Sequence, residues 1–226
     1  MKNKSLVLAT ILLIGFLVSP SMATTNQLKS NSGYLSIHAG GFIISQSGFS
    51  NTYGSNLGPA FGVGLGLALT THLFLCTKAS YFTKQGTPLW VTYGFTNGKS
   101  TIISESRNGS ANFREWILDG GMKYDFFISK PYNLGLEGGI TVITFADRAQ
   151  SANGQDSFQD NGEGAFGFYT GLSLERRFKR NPFAVFADAQ YNYALKNVAT
   201  AVGNYGGMSL SLGVRYYFGG IIGQWK

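Results

Sequence analysis

The chain has little of what most soluble enzymes depend on. Only 13% of its 226 residues are charged, against about 25% in an ordinary soluble domain. A single cysteine, Cys76, rules out an internal disulfide framework. The only histidines, His38 and His72, lie in separate segments. No zinc-ligand cluster and no nucleophile elbow is present. Five prolines are too few for a Pro/Gly-rich disordered segment. Beyond residue 23 no apolar run approaches the ~20 residues of a transmembrane helix. A disulfide scaffold and a helical membrane protein are therefore excluded.

The first residues read as an export signal. Lys2 and Lys4 precede an apolar run over 6–18, and Ser21-Met22-Ala23 makes an A-x-A-like cleavage site. The expected organisation is a signal peptide at 1–23, a short periplasmic segment at 24–32, one barrel domain at 33–219 and a tail at 220–226. The formal charge is +7, and losing Lys2 and Lys4 leaves +5. That excess suits an anionic membrane surface and does not point to nucleic acid.

Glycine (31 residues) and aromatics (15%) are abundant, and they fall into an alternating pattern. In "MSLSLGVRYYFGG" (208–220), Met208, Leu210, Leu212, Val214, Tyr216 and Phe218 share one parity. Ser209, Ser211, Gly213, Arg215 and Tyr217 share the other. Period two marks a β-strand with unlike faces. Eight segments have strand composition: 33–45, 59–70, 73–85, 112–127, 133–148, 164–178, 183–197 and 208–220. The links between them alternate long and short, as in an up-and-down barrel with tight turns on one rim and loops on the other. The excursion over 86–111 contains "LWVTYGFT" and "TIISES" around Asn97-Gly98, a hairpin signal. It is expected to extend the third and fourth strands outward. Two further spanning strands there would instead make ten.

The polar parity mixes small residues with charges of both signs. Gly62, Gly64 and Gly66 alternate with Phe61, Val63, Leu65 and Leu67. Glu115, Asp119, Lys123 and Asp125 alternate with Trp116, Leu118, Met122 and Tyr124. Glycine on a water-facing strand adds no solubility and weakens the strand. In a narrow lumen it leaves room for long charged side chains, which must pair to be tolerated. The apolar parity then meets lipid. The lumen cations are Lys78, Lys123, Arg177, Lys196 and Arg215. The lumen anions are Glu115, Asp119, Asp125, Glu137, Glu175 and Asp188. Tyr34, Tyr124, Phe126, Tyr132 and Phe218, near strand ends, are assigned to a periplasmic aromatic girdle.

With its signal peptide, eight amphipathic strands, alternating loop lengths and aromatic last strand, the chain resembles the small outer-membrane β-barrel proteins of Gram-negative bacteria, the OmpA/OmpX/OmpW-like group. The resemblance implies an all-β, eight-stranded antiparallel transmembrane barrel. It implies that Tyr216 and Phe218 serve as the signal read by the outer-membrane insertion machinery. The tail "GGIIGQWK" runs past the point where the group usually stops. Partners expected are outer-membrane lipids and lipopolysaccharide, and a ligand at the extracellular loops, with the chain a monomer.

Eight strands enclose an interior that side chains fill, so the charged set is expected to be a self-paired plug. The expected function is structural or loop-presenting, without catalysis, cofactor or metal. Two alternatives stay open: a narrow channel or small-hydrophobe transporter, and a lipid A-modifying enzyme. Barrels of the latter kind use His with Ser and a carboxylate. His38 is read instead as a satisfied lumen histidine, His72 as a solvated turn residue and Cys76 as an inert lumen residue. Asp147, Asp156, Asp160 and Glu163 are read as a solvated acidic loop.

Overall fold

The computed structural model describes residues 33–218 apart from 47, 97–98, 130, 153, 155–156, 162–163, 179–180 and 199–200. The signal peptide, the 24–32 segment, and the tail assigned to 220–226 lie outside the described residues. The described elements are β1 (Gly33–Ile44), α1 (Phe49–Tyr53), β2 (Leu57–Ala68), β3 (Leu73–Gly86), β4 (Leu89–Thr96) and β5 (Lys99–Arg107). They continue with β6 (Ser110–Ser129), β7 (Tyr132–Gln150), β8 (Ser157–Asn161), β9 (Ala165–Arg177), β10 (Phe183–Val198), β11 (Ala201–Asn204) and β12 (Gly207–Phe218).

Eight of these strands form a closed antiparallel barrel in the order β1-β2-β3-β6-β7-β9-β10-β12. β12 returns to β1 in continuous register from Gly33↔Phe218 to Ile44↔Gly207. Closure leaves no exposed edge in the ring. β8 pairs with the end of β7, and β11 with the end of β10, so the links after those strands are hairpin extensions of the barrel wall. At the opposite rim the connections are tight, as where Ser129 pairs with Tyr132 across the turn.

Two expectations about the loops are corrected. The 86–111 excursion does not extend β3 and β6, which end against each other at Gly86↔Ala111. β4 and β5 pair in a two-stranded sheet of their own, from Leu89↔Arg107 to Thr96↔Lys99. Pro88, with no N–H to give to a ladder, stands at the break. The barrel therefore has eight strands, and the ten-stranded alternative is overturned. The loop after β1 contains α1. Gly48 (φ 79°) and Gly54 (φ 74°) bracket it in the left-handed conformation that glycine adopts without steric cost. Its Phe49 and Tyr53, one turn apart, are buried and stack with centroids 4.3 Å apart.

The burial pattern is inside-out relative to a soluble protein. Ile37 is 65% exposed and Leu212 70%, whereas Lys123 is 1% and Arg215 0% exposed. Leu210, Val214 and Tyr216 also point out, as the parity requires. Tyr124, Phe126 and Tyr132 face outward near the turn rim. Tyr34 does not: it is 2% exposed inside the lumen. It has the inward parity of Ser36, and Gly66 on β2 makes room for its ring. An arginine at the outward centre of β12 would enter the lipid belt. Leu212→Arg should destabilise the barrel by about 2–4 kcal/mol, measured by reversible urea unfolding in phospholipid vesicles.

Candidate functional site: the filled lumen

The inward side chains form three tiers. The tier nearest the tight turns is centred on Glu175. Its carboxylate accepts from Arg215 Nη1 at 2.6 Å and Arg177 Nε at 2.6 Å, and the Tyr217 hydroxyl donates to it at 2.7 Å. Arg177 reaches on to Asp125 at 3.1 Å, and Lys123 pairs with the other Asp125 oxygen at 2.8 Å. Aromatic faces line the cations. Arg215 lies 5.0 Å from the Tyr34 ring centroid and 4.0 Å from that of Phe186, and Arg177 lies 4.5 Å from that of Tyr217. Cys76 is buried here against the Tyr34 hydroxyl at 3.2 Å.

The middle tier joins β3, β6, β7 and β10. Lys78 Nζ donates to Glu137, to Asp188 at 2.6 Å and to the Gln190 side-chain oxygen at 3.1 Å. Asp119 was expected to meet a cation. Its oxygens instead accept from the Gln190 amide at 2.7 Å and the Asn192 amide at 2.8 Å. Asn192 also donates to Thr141. His38 Nε2 lies 3.1 Å from Ser80 Oγ, the satisfied lumen position expected of it. A small internal cavity of about 20 Å³ is lined in part by His38, Asp188 and Ser211, room for about one water.

The tier toward the long loops was not anticipated. Phe42, Ile44, Phe82, Phe113, Ile117, Ile143 and Phe145 point inward, and Phe49 and Tyr53 of α1 close over them. Phe49 meets Phe113 edge-on at 5.1 Å, and Phe145 stacks on Tyr205 at 4.4 Å. The Tyr53 hydroxyl donates to Asp147. Burial first, and then the neighbouring carboxylate, hold its phenol well above the usual range, so the hydroxyl keeps its proton and can donate at neutral pH. Asp147, assigned to a solvated acidic loop, thus anchors the cap. The side chains of Asp156, Asp160 and Glu163 lie outside the described residues.

Glu115 is the exception to pairing. It is 0% exposed, opposite Phe82 on β3 and Phe145 on β7, and neither oxygen has a hydrogen-bond partner among the described residues. The expected set therefore divides. Lys78, Glu137 and Asp188 meet in one cluster, and Lys123, Asp125, Glu175, Arg177 and Arg215 in another. Asp119 is held by amides, and Glu115 by nothing. Lys196 lies in β10, and its side chain is outside the described residues. Tyr34, Tyr217, Gln190, Asn192 and Thr141 complete the network, and all five share the inward parity. His72 is not simply solvated. Its Nδ1 donates to the Asp125 carbonyl at 3.0 Å, and its ring stacks on Tyr124 at 5.8 Å. Tyr216 packs outward against Phe183 at 5.3 Å, and Phe218 is half-buried beside Gly33.

These environments predict opposite effects for two substitutions. Lys78→Ala strands the Glu137 and Asp188 carboxylates and should cost about 3–5 kcal/mol. Glu115→Leu removes an unpartnered carboxyl from an apolar tier and should stabilise by about 1–3 kcal/mol. Urea midpoints of the two variants in lipid vesicles should therefore move in opposite directions.

No family model and no curated protein sequence matches this chain. Solved structures do. Neisserial surface protein A (NspA) superposes with a TM-score of 0.53 at 17% identity, over 83% of this chain and 97% of that one. The outer membrane protein OprG from Pseudomonas aeruginosa superposes with a TM-score of 0.51 at 10% identity, over 84% of this chain and 97% of that one. At such identities the likeness establishes architecture: the chain has the fold of the small eight-stranded outer-membrane β-barrels.

Proposed function

We propose that this chain is an integral outer-membrane protein that closes its own lumen and acts through what it carries outside the membrane, stabilising the envelope or presenting a binding surface, without catalysis. The observation that carries this reading is the occlusion of the barrel by three successive tiers. Two are polar and locked by ion pairs or amide hydrogen bonds. The third is aromatic and capped by α1. A solute path would have to break buried ion pairs whose separation leaves uncompensated charge. His38 supports the non-catalytic reading, since it is held to Ser80 within the lumen and shielded from lipid.

In the same reading, residues 1–23 direct export and Tyr216 and Phe218 at the end of β12 are recognised during insertion. The tight turns face the periplasm and the β4–β5 hairpin faces outward. That hairpin is the natural presenting element, because it is a separate sheet beyond the barrel rim.

Purified, refolded protein in planar bilayers should give no steady unitary conductance; regular steps would overturn the closed-lumen reading. Excising residues 88–108 should leave heat-modifiable gel migration intact, because the hairpin lies outside the barrel ladder. Loss of that migration would show that the hairpin belongs to the barrel's folding unit.

A further inference from the structure

Glu115 has no part in the lumen network. Both of its oxygens are sealed from water and lack a hydrogen-bond partner among the described residues. A polar group buried in this way destabilises a fold and calls for a cause other than folding. Its register partners are Phe82 on β3 and Phe145 on β7, and Phe113 lies two residues along the same inward face of β6. One carboxylate is thus set among three aromatic rings. The cation diagonal to it, Lys84, is drawn away: it donates to Ser55 Oγ at 2.9 Å and to the Leu57 carbonyl at 2.7 Å. On the turn side Asp119 is satisfied by two amides, and on the loop side Asp147 is held by Tyr53.

What covers this carboxylate is α1, and its polar attachments are few. Phe49 lies edge-on to Phe113 at 5.1 Å and 6.4 Å from Phe82, against two of the rings that flank Glu115. The Tyr53 hydroxyl donates to Asp147, Arg107 Nη1 to the Asn51 carbonyl at 2.5 Å, and the Thr87 N–H to the Thr52 carbonyl at 3.0 Å. Gly48 and Gly54 stand at the two ends with positive φ, and the space around both is open. Glycine changes conformation at such positions without steric cost. The five residues of α1 can therefore lift as a flap without breaking a barrel ladder. The space that the Phe49 ring vacates has aromatic walls and a carboxylate at its floor.

The lining selects the occupant. A carboxylate in apolar surroundings requires a positive charge, and its two orphaned oxygens require donors. A hard metal ion would need several oxygen ligands, whereas the side chains flanking Glu115 are rings. A primary ammonium brings the charge and three N–H donors together. Aromatic faces attract the ammonium, and its alkyl chain replaces the Phe49 ring. We propose that Glu115, Phe82, Phe113 and Phe145 form a binding site for a small primary alkylammonium ion, entered from the loop side when α1 lifts. The polar tiers beneath need not open for the site to fill. The site requires only the barrel and α1, so it stands apart from the membrane setting proposed above.

The test is calorimetric titration of the full chain, refolded in zwitterionic detergent at neutral pH. The probes are butylammonium and its neutral isostere, 1-butanol. Wild type should bind butylammonium saturably and butanol not at all. Glu115→Gln keeps the shape and removes the charge, and should weaken binding by about tenfold. Phe82→Leu should weaken it by about threefold. Tyr53→Phe releases the flap from Asp147 and should tighten binding, because the lifted state becomes more populated. A purely structural role for α1 would not produce that gain. Heat-modifiable migration, read for every variant, identifies those that form the barrel, and only these are compared. No saturable binding of butylammonium by folded wild type, equal binding of butanol, or unchanged affinity in Glu115→Gln overturns the site. Binding by Tyr53→Phe no tighter than wild type overturns entry beneath α1.

Discussion

The interior of an eight-stranded barrel is only as wide as the side chains that fill it, so every inward residue must find its partner across that width. Glu175 shows what this demands. It lies on β9, but its partners include Arg215 and Tyr217 on β12, and through Arg177 it joins Asp125 on β6. One carboxylate thereby ties together strands from different sides of the ring. Such buried pairs add little net stability, because desolvation offsets much of their attraction. Their effect is on register. Sliding β9 by one residue would turn Glu175 and Arg177 outward and Leu172 and Leu174 into the lumen.

The same constraint explains the aromatic tier. A strand buries whichever of its faces the surroundings reject. Within the lipid belt the outside is apolar, so Trp116 and Met122 point out while Asp119 and Lys123 point in. Past the belt the outside is water, and the preference reverses. Phe113 and Phe145 turn in, while Arg114 and Arg148 turn out. α1 completes that apolar cluster with Phe49 and Tyr53. Glu115 falls at the crossover, with the inward parity of the charged tiers but the neighbours of the aromatic one.

This reversal also separates what the sequence makes legible from what it does not. Strand positions follow from alternation, and β3, read at 73–85, forms at Leu73–Gly86. Inward parity correctly gathers Lys78, Glu137 and Asp188, although they lie on three strands. Parity says which residues share a face but not what medium that face meets along its length. A single polarity assigned to a whole strand therefore misses Phe42 and Phe82 as interior residues. Tyr34 is misplaced for a related reason, since an aromatic near a strand end suits a girdle only if its parity points outward. α1 left a faint local signal, two aromatics four residues apart between Gly48 and Gly54. The pairing of Asp119 with amides was hidden because a carboxylate's partner depends on which strands face each other across the lumen, and no local pattern records that.

The lumen also decides where the chain's positive charge can act. Beneath the α1 cap the described lumen side chains include four cations, Lys78, Lys123, Arg177 and Arg215, against six carboxyls, Glu115, Asp119, Asp125, Glu137, Glu175 and Asp188. The interior therefore contributes no cationic surplus, and the net positive charge of the chain is carried elsewhere. On the described outer wall of the barrel strands that charge is arginine alone, placed beyond both ends of the apolar belt. A long aliphatic stem can lie along the belt while its guanidinium reaches the polar zone. In the proposed outer-membrane setting an acidic side chain there would face an anionic surface with the wrong sign. The absence of outward carboxylates among the described barrel residues is thus the counterpart of their concentration inside: the lumen supplies fixed cations to pair them, and the membrane surface does not.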